Sequence, residues 1–271
     1  MGVTRRAVLK TLLATGVGTV SGSGAYGYMY GRHELSITRE TIVMPGLPAA
    51  LAGLRIGLVT DIHRSRLVAH EDVARAMALL MSEHPDLIVL GGDYVTWGDR
   101  KYVVPAAEAL ASLSAPHGVH AILGNHDDDH DMPLALAHNG VHVLKDARTR
   151  LTIRHEPLDL AGIRFWTRRP ADIAALVRGA APATILLAHD PRRLTEAAAL
   201  DVPLVLSGHT HGGQVVLPVV GAVAAQKFPV ASGLARRGKT TMFVSRGIGT
   251  IYVPVRINCP PEVAILTLQP A

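Results

Sequence analysis

A single cysteine, Cys259, stands in 271 residues, which excludes an intramolecular disulfide and any site built on several thiolates, whether zinc finger or iron–sulfur cluster. Aromatic residues are scarce: three Phe, two Trp and six Tyr, of which Tyr26, Tyr28 and Tyr30 sit together near the N-terminus. What remains is a poor supply for the stacked platforms that bind single-stranded nucleic acid. Charged residues make up only 18% and apolar ones 48%, so a disordered chain is excluded. The length suits one sizeable domain whose core needs no covalent staples. No internal repeat of about 20 to 50 residues is present.

The net charge of +5 invites a nucleic-acid reading that its distribution rejects. Arg5, Arg6 and Lys10 precede the first acidic residue, Glu34, and without them 24 basic residues face 22 acidic ones. The later pairs Arg168-Arg169, Arg192-Arg193 and Arg236-Arg237 are isolated, with no helix-length basic stripe. No nucleic-acid partner is expected.

Residues 4–10 read Thr-Arg-Arg-Ala-Val-Leu-Lys and are followed by 21 uncharged residues, Thr11 to Gly31. The segment resembles a twin-arginine export signal, with Val8 where Phe is usual. That resemblance implies passage of the folded chain through the twin-arginine export machinery to the periplasm or the extracytoplasmic face of the membrane. The competing reading is a transmembrane anchor with its basic residues on the cytoplasmic side, since about 20 apolar residues span a bilayer. No convincing Ala-x-Ala cleavage site precedes Arg32, and the three tyrosines suit an interfacial belt holding an uncleaved segment at the membrane. Residues 1–31 are expected as signal or anchor, 32–50 as a short connecting segment, and 51–271 as the folded domain.

From Leu54 onward short apolar runs alternate with helical patterns, the signature of an α/β domain. Strands are expected at Leu54–Thr60, Asp86–Leu90, Val119–Leu123, Thr184–Ala188 and Leu204–Ser207. Helices are expected at Asp72–Glu83, Val104–Leu113, Pro133–Asn139, Asp172–Arg178 and Arg192–Leu200. After Gly213 the helical signal ends, and Val215–Val220, Thr241–Ser245 and Val263–Leu268 read as further strands.

The informative pattern lies at the carboxyl end of each of the first five strands. Asp61-Ile62-His63, Gly91-Gly92-Asp93, Gly124-Asn125-His126-Asp127, His189-Asp190 and Gly208-His209-Thr210-His211 come in that order. In open α/β sheets ligands bind outside the carboxyl ends of strands, so five such ends bring these side chains to one edge. Taken singly, each has a blander account. Asp93 can cap a helix, Asn125 to Asp127 can form a turn, and His189 can be a core histidine. The conjunction decides for a site. Imidazoles and carboxylates without thiolates suit Zn, Fe or Mn. Asp61, His63, Asp93, Asn125, His189, His209 and His211 are too many for one tetrahedral ion, and a carboxylate shared between two ions fits them.

These motifs, in this order, resemble those of the calcineurin-like metallophosphoesterases from about Leu51 to Leu268. Gly208 to Gln214, Ser245-Arg246-Gly247-Ile248-Gly249 and Pro254-Val255-Arg256 resemble the exported bacterial phosphodiesterase branch. The resemblance implies a four-layer sandwich of two mixed β-sheets flanked by helices. It implies two divalent ions, one held by Asp61, His63, Asp93 and His211, the other by Asp93, Asn125, His189 and His209. It further implies phosphate-ester hydrolysis by a metal-bridging hydroxide. His126 would stabilise the phosphoryl charge or protonate the leaving group, and Asp127 would orient His126. The expected substrate is a phosphodiester of an envelope phospholipid, glycolipid or polymer. A phosphomonoesterase and a non-catalytic metal-binding scaffold are the alternatives.

Weaker expectations attach to other residues. Arg64, directly after the first motif, is expected at the rim of the site. Arg246 and Arg256 either meet a substrate phosphate or form ordinary surface pairs. The uncharged stretch Val215–Gln226 reads as a buried hairpin, with an apolar lip for a lipid tail as the alternative. Cys259, beside two prolines, has no activating neighbour and is expected to be inert.

Overall fold

Runs of four buried, mostly apolar residues form the centre of two sheets, as expected of strands covered on both faces. The structure is a computed structural model that describes residues 5–271, with side chains in the first helix described from residue 14 onward. Thr4 of the twin-arginine motif therefore lies outside the described residues, as do the side chains of Arg5, Arg6, Val8 and Lys10.

The chain opens with α1 (Arg5–Met29), then β1 (Ser36–Met44), β2 (Arg55–Val59), α2 (His70–Met81), β3 (Leu87–Leu90), α3 (Val103–Ala109), β4 (Val119–Ala121), α4 (Asp131–His138) and β5 (His142–Val143). Next come β6 (Ala147–Ile153), β7 (Glu156–Gly162), α5 (Pro170–Val177), β8 (Thr184–Leu187), α6 (Leu194–Ala199) and β9 (Leu204–Ser207). The last elements are β10 (Val216–Leu217), β11 (Gly221–Ala222), β12 (Gly233–Arg237), β13 (Thr240–Val244) and β14 (Glu262–Pro270). One six-stranded sheet has the order β1-β14-β2-β3-β4-β5, the other β12-β13-β9-β8-β7-β6.

Strand alternation sorts the side chains into layers. Ile56, Leu58, Leu87 and Val89 meet Ile185, Leu187, Leu204 and Leu206 between the sheets. The opposite faces carry Ile88 and Leu90, packed on Val73, Met77 and Leu80 of α2, and Leu186 and Val205, packed on Ile173 and Leu194. The result is helix, sheet, sheet, helix, the four-layer sandwich implied by the resemblance.

Three differences from the sequence reading matter. The stretch 32–50, expected as a connecting segment, contains β1, which pairs in parallel with β14 from Ser36↔Glu262 to Met44↔Pro270. Its polar middle, Thr38 to Thr41, suits a half-exposed edge strand and hides the alternation. The hairpin β6–β7 also carries no turn signal, because Arg154 and His155 take the two left-handed positions usually given to Asn and Gly. Lastly, the hairpin β10–β11 is not buried: Leu217, Val220 and Val223 are about half exposed and Val219 fully so.

The end of α1 docks on the domain by backbone contact. The Arg256 N–H donates to the Gly27 carbonyl at 3.2 Å, and a Cβ at Gly27 would lie 2.6 Å from Val255 Cγ1. Among the described residues no helix is long and apolar enough to cross a membrane.

Candidate metal centre

In the first sheet β2, β3 and β4 are parallel neighbours, and in the second β8 and β9 are. Their carboxyl ends deliver all five motifs to one place. Asp61, His63, Asp93, His189 and His211 are buried there, and Asn125 and His209 are half-buried. Five of these seven, Asp61, His63, Asp93, His209 and His211, have positive φ between 49° and 73°. Such strain in non-glycine residues persists where surrounding structure enforces it, characteristically at functional sites. Two glycines permit the crowding, since a Cβ at Gly124 would overlap the Asp93 carboxylate and one at Gly208 that of Asp61.

The ligand atoms fall into two groups, Asp61 with His63 and His211, and Asp93 with His189 and His209, each within 4.8 Å. Asp93 Oδ2 stands between them, 3.5 Å from His63 Nε2 and 3.1 Å from His189 Nε2. Asp61 Oδ1 lies 3.4 Å from His211 Nε2.

The fit to cations can be tested on hydrogen bonding. His189 donates from Nδ1 to the Gly91 carbonyl at 2.7 Å, which leaves Nε2 facing the centre, and His211 Nδ1 points likewise to the Gly249 carbonyl at 3.4 Å. His63 Nδ1 is 3.2 Å from Thr96 Oγ1. Such outer contacts fix which ring nitrogen ligates. Asn125 Oδ1 is buried without a hydrogen-bond partner, His189 Nε2 has only the Asp93 carboxylate beside it, and the Nε2 atoms of His63 and His211 face each other at 3.1 Å. Ligands converging on a common point behave in this way, and buried polar atoms left unpaired otherwise cost free energy. The donor set suits divalent ions.

The electrostatics agree. Burial pushes Asp61 up to about 6, with the His189 charge opposing. Burial would also raise Asp93, yet His189 and His63 hold it well below the usual carboxylate range. His189 is lifted against burial to about 10 by Asp93 and Asp61. Burial lowers His63 to about 4, His209 to about 3, and His211 well below its ordinary value. Three rings are thus neutral with lone pairs free, beside carboxylates that call for positive charge.

His126 lies beside this cluster, its ring edge-on to His63 at 5.0 Å. Its Nδ1 accepts the Trp97 N–H at 3.0 Å, so the ring proton resides on Nε2. Asp127 does not orient His126 as expected. Its carboxylate instead accepts the N–H groups of Asp93, Tyr94 and Gly124 at 2.7–2.8 Å, tying the β3 and β4 loops together. Arg64 turns away from the rim to the carbonyls of Ser65 and Val68. Arg246 pairs with Glu262, and Arg256 is buried, donating to the carbonyls of Arg246, Gly247, Gly249 and Cys259. Neither meets the site. Cys259 is buried against the His211 carbonyl, and burial pushes its thiol up.

Sequence reasoning did not find Trp97, Thr96, or the mouth residues Lys227, Phe228 and Tyr252. Only the glycines of Ser245 to Gly249 hinted at the partner loop: Gly249 N–H donates to the Asp61 carbonyl at 2.7 Å.

Comparison with known proteins bears on this arrangement. The family pattern described as calcineurin-like phosphoesterase matches residues 54–213. The chain is 31% identical over 291 residues to the phosphodiesterase YaeI of Escherichia coli, covering 98% of this chain and 99% of that one. It is 28% identical over 283 residues to an uncharacterized metallophosphoesterase, YkuE, of Bacillus subtilis, covering 98% of each. Among solved structures, the NAD nucleotidase of Haemophilus influenzae shares the fold, with TM-score 0.51 and 15% identity over 72% of this chain and 45% of that one.

Proposed function

The chain belongs to the calcineurin-like phosphoesterase family of metal-dependent phosphoester hydrolases, and we propose that it is a dinuclear phosphodiesterase acting on an envelope component. The observation that carries the reading is Asp93 Oδ2, set between two ligand groups within reach of both His63 and His189. Asp61, His63, Asp93 and His211 would hold one ion, and Asp93, Asn125, His189 and His209 the other. When bound, two such ions supply a water of lowered pKa and offset charge on the phosphoryl oxygens.

The protein's own residues do the rest. Burial lowers the pKa of His126, and the Trp97 N–H at Nδ1 opposes a second ring proton. His126 therefore works as a neutral donor, presenting Nε2–H to the charge that develops on phosphoryl or leaving oxygen, rather than as an imidazolium acid. Among the described residues, Lys227 is the one lysine or arginine lining the mouth. A single cation suits the single charge of a diester better than the two of a monoester. The relative named as a phosphodiesterase supports the same choice. The Thr-Arg-Arg-Ala-Val-Leu-Lys segment supports export, with α1 retained on the domain through its Gly27 contact.

Metal-stripped protein reconstituted with Mn²⁺ or Zn²⁺ tests the reading on bis-p-nitrophenyl phosphate and p-nitrophenyl phosphate. Metal-dependent diester cleavage that exceeds monoester cleavage is expected. A monoester preference would make the chain a phosphomonoesterase, and no turnover by protein holding two ions would make it a scaffold.

A further inference from the structure

Beside the metal centre runs a groove of about 790 Å³. One wall is α1 at Thr19, Val20, Ser23 and Gly24, and the others are the hairpin β10–β11 with its flanks and the Ile251–Ile257 segment. No charged side chain among the described residues lines it. Val20, Leu217, Val223 and Val253 present apolar surface that is between 43% and 75% exposed, a contiguous patch of a kind monomeric surfaces seldom carry without use.

The course of the groove indicates its occupant. Gly213, Gln214, Ala224, Ile251 and Tyr252 line both the groove and the mouth over the metal ligands. On this divide Gly213, Ala224 and Ile251 carry no polar side chain and Tyr252 presents its ring. Gln214 spends its amide on backbone, donating to the carbonyls of Ile251 and Val253 at 2.9 and 3.2 Å and accepting the Ile251 N–H at 2.7 Å. It offers no free polar group to an occupant. A molecule whose phosphate sits at the metals can thus continue into the groove without a gap. The volume falls within the range of small-molecule clefts.

We propose that the groove receives the alkyl or acyl chain of the substrate, so that a lipid-linked phosphodiester is the substrate class. This rests on the phosphodiesterase reading above and selects among envelope components. The chain lies between α1 and the β10–β11 hairpin, and its phosphate lies over Asp93 and His126. The hairpin tip at Val219 and Val220 extends the exposed apolar surface next to Leu217 and Val223 of the groove wall.

The test uses the full chain loaded with Mn²⁺ and a series of alkyl p-nitrophenyl phosphates from methyl to decyl. Water displaces p-nitrophenolate and leaves the alkyl phosphate, so only chain length varies. The kcat/KM is expected to rise several-fold per two-carbon step, below the ceiling of about 15-fold set by complete burial of two methylenes. The decyl-to-methyl ratio divides out losses common to both substrates. It should collapse toward unity in Val223→Gln and in Val20→Gln, both at exposed positions where folding is not at stake. A flat series in the wild type, or an unchanged ratio in both variants, overturns the proposal. So does a wild-type dimer that Val223→Gln makes monomeric by light scattering, because a second copy would then be the occupant. Should no diester be cleaved by protein holding its metals, the phosphodiesterase reading fails separately, and binding decides for the groove. Fluorescence of cis-parinaric acid enhanced by the protein and reversed by decyl phosphate but not methyl phosphate supports the groove; no enhancement overturns it.

Discussion

The ring Nδ1 of His126 accepts a hydrogen bond from the backbone N–H of Trp97 at 3.0 Å. This one contact decides the chemistry open to the ring, because it leaves the proton on Nε2 and opposes a second one on Nδ1. Removing a neutral donor to developing charge lowers turnover by about 10²- to 10³-fold. His126→Ala is therefore expected to lose kcat on that scale while elemental analysis finds both ions in place. His126→Gln, whose amide still donates, should recover about tenfold of the loss. Equal activity of the Ala and Gln variants would point to proton transfer instead.

Asp93 stands where loss should be felt by both ions. Its Oδ2 faces His63 and His189, and its Oδ1 accepts the backbone N–H of His126 at 2.8 Å. Asp93→Ala should drop the metal content to one ion or fewer per chain. Activity should fall well beyond the 10- to 100-fold typical of outer-shell partners. Two ions retained in this variant would refute the shared position.

The site was legible because its sequence signal is local. Each of the strands β2, β3, β4, β8 and β9 is a short apolar run cut off by a polar ligand, and parallel pairing then aligns the ends. Where structure depends on distant partners, the sequence was silent. The strand β1 is polar in its middle and exists because β14 is there to pair with it. Arg256 reads as surface from its neighbours, yet the irregular loop from Arg246 to Gly249 turns three carbonyls onto it and Cys259 a fourth. The uncharged stretch 215–226 reads as buried by composition, but among the described residues no third strand joins its short hairpin.

Asp127 shows the same limit within a motif. It adjoins His126 in sequence and suggests an orienting partner, but its oxygens hold the amides of Asp93, Tyr94 and Gly124. Asp127→Ala leaves those three donors unpaired at an expected cost of about 3–4 kcal/mol, the low end of three buried groups at about 1–3 kcal/mol each. For a chain of this length that is a fall in Tm of about 5–15 °C. The kinetic loss should track misplacement of Asp93, with weaker metal binding. An Asp127→Ala protein of unchanged Tm and full metal affinity would return the residue to an orienting role.

Away from the site, Asp159 on β7 offers a test in pH. It is buried, and its oxygens receive Arg150 at 2.7 and 2.8 Å and the Ala181 N–H at 2.8 Å. Burial alone would raise this carboxyl, but Arg150 and the amide hold it below its ordinary value. A depressed pKa means that the ionised form is favoured more in the folded chain than in the unfolded one. The stabilisation is then fully present above the unfolded value, about 3.9, and drains away as pH falls through the lower folded value. Asp159→Asn is expected to cost about 1–3 kcal/mol at pH 7. Urea unfolding of both proteins from pH 7 downward should show the gap constant to about pH 4 and closing below it. A gap that stays the same down to about pH 2 would mean that the carboxylate contributes through shape and not through charge.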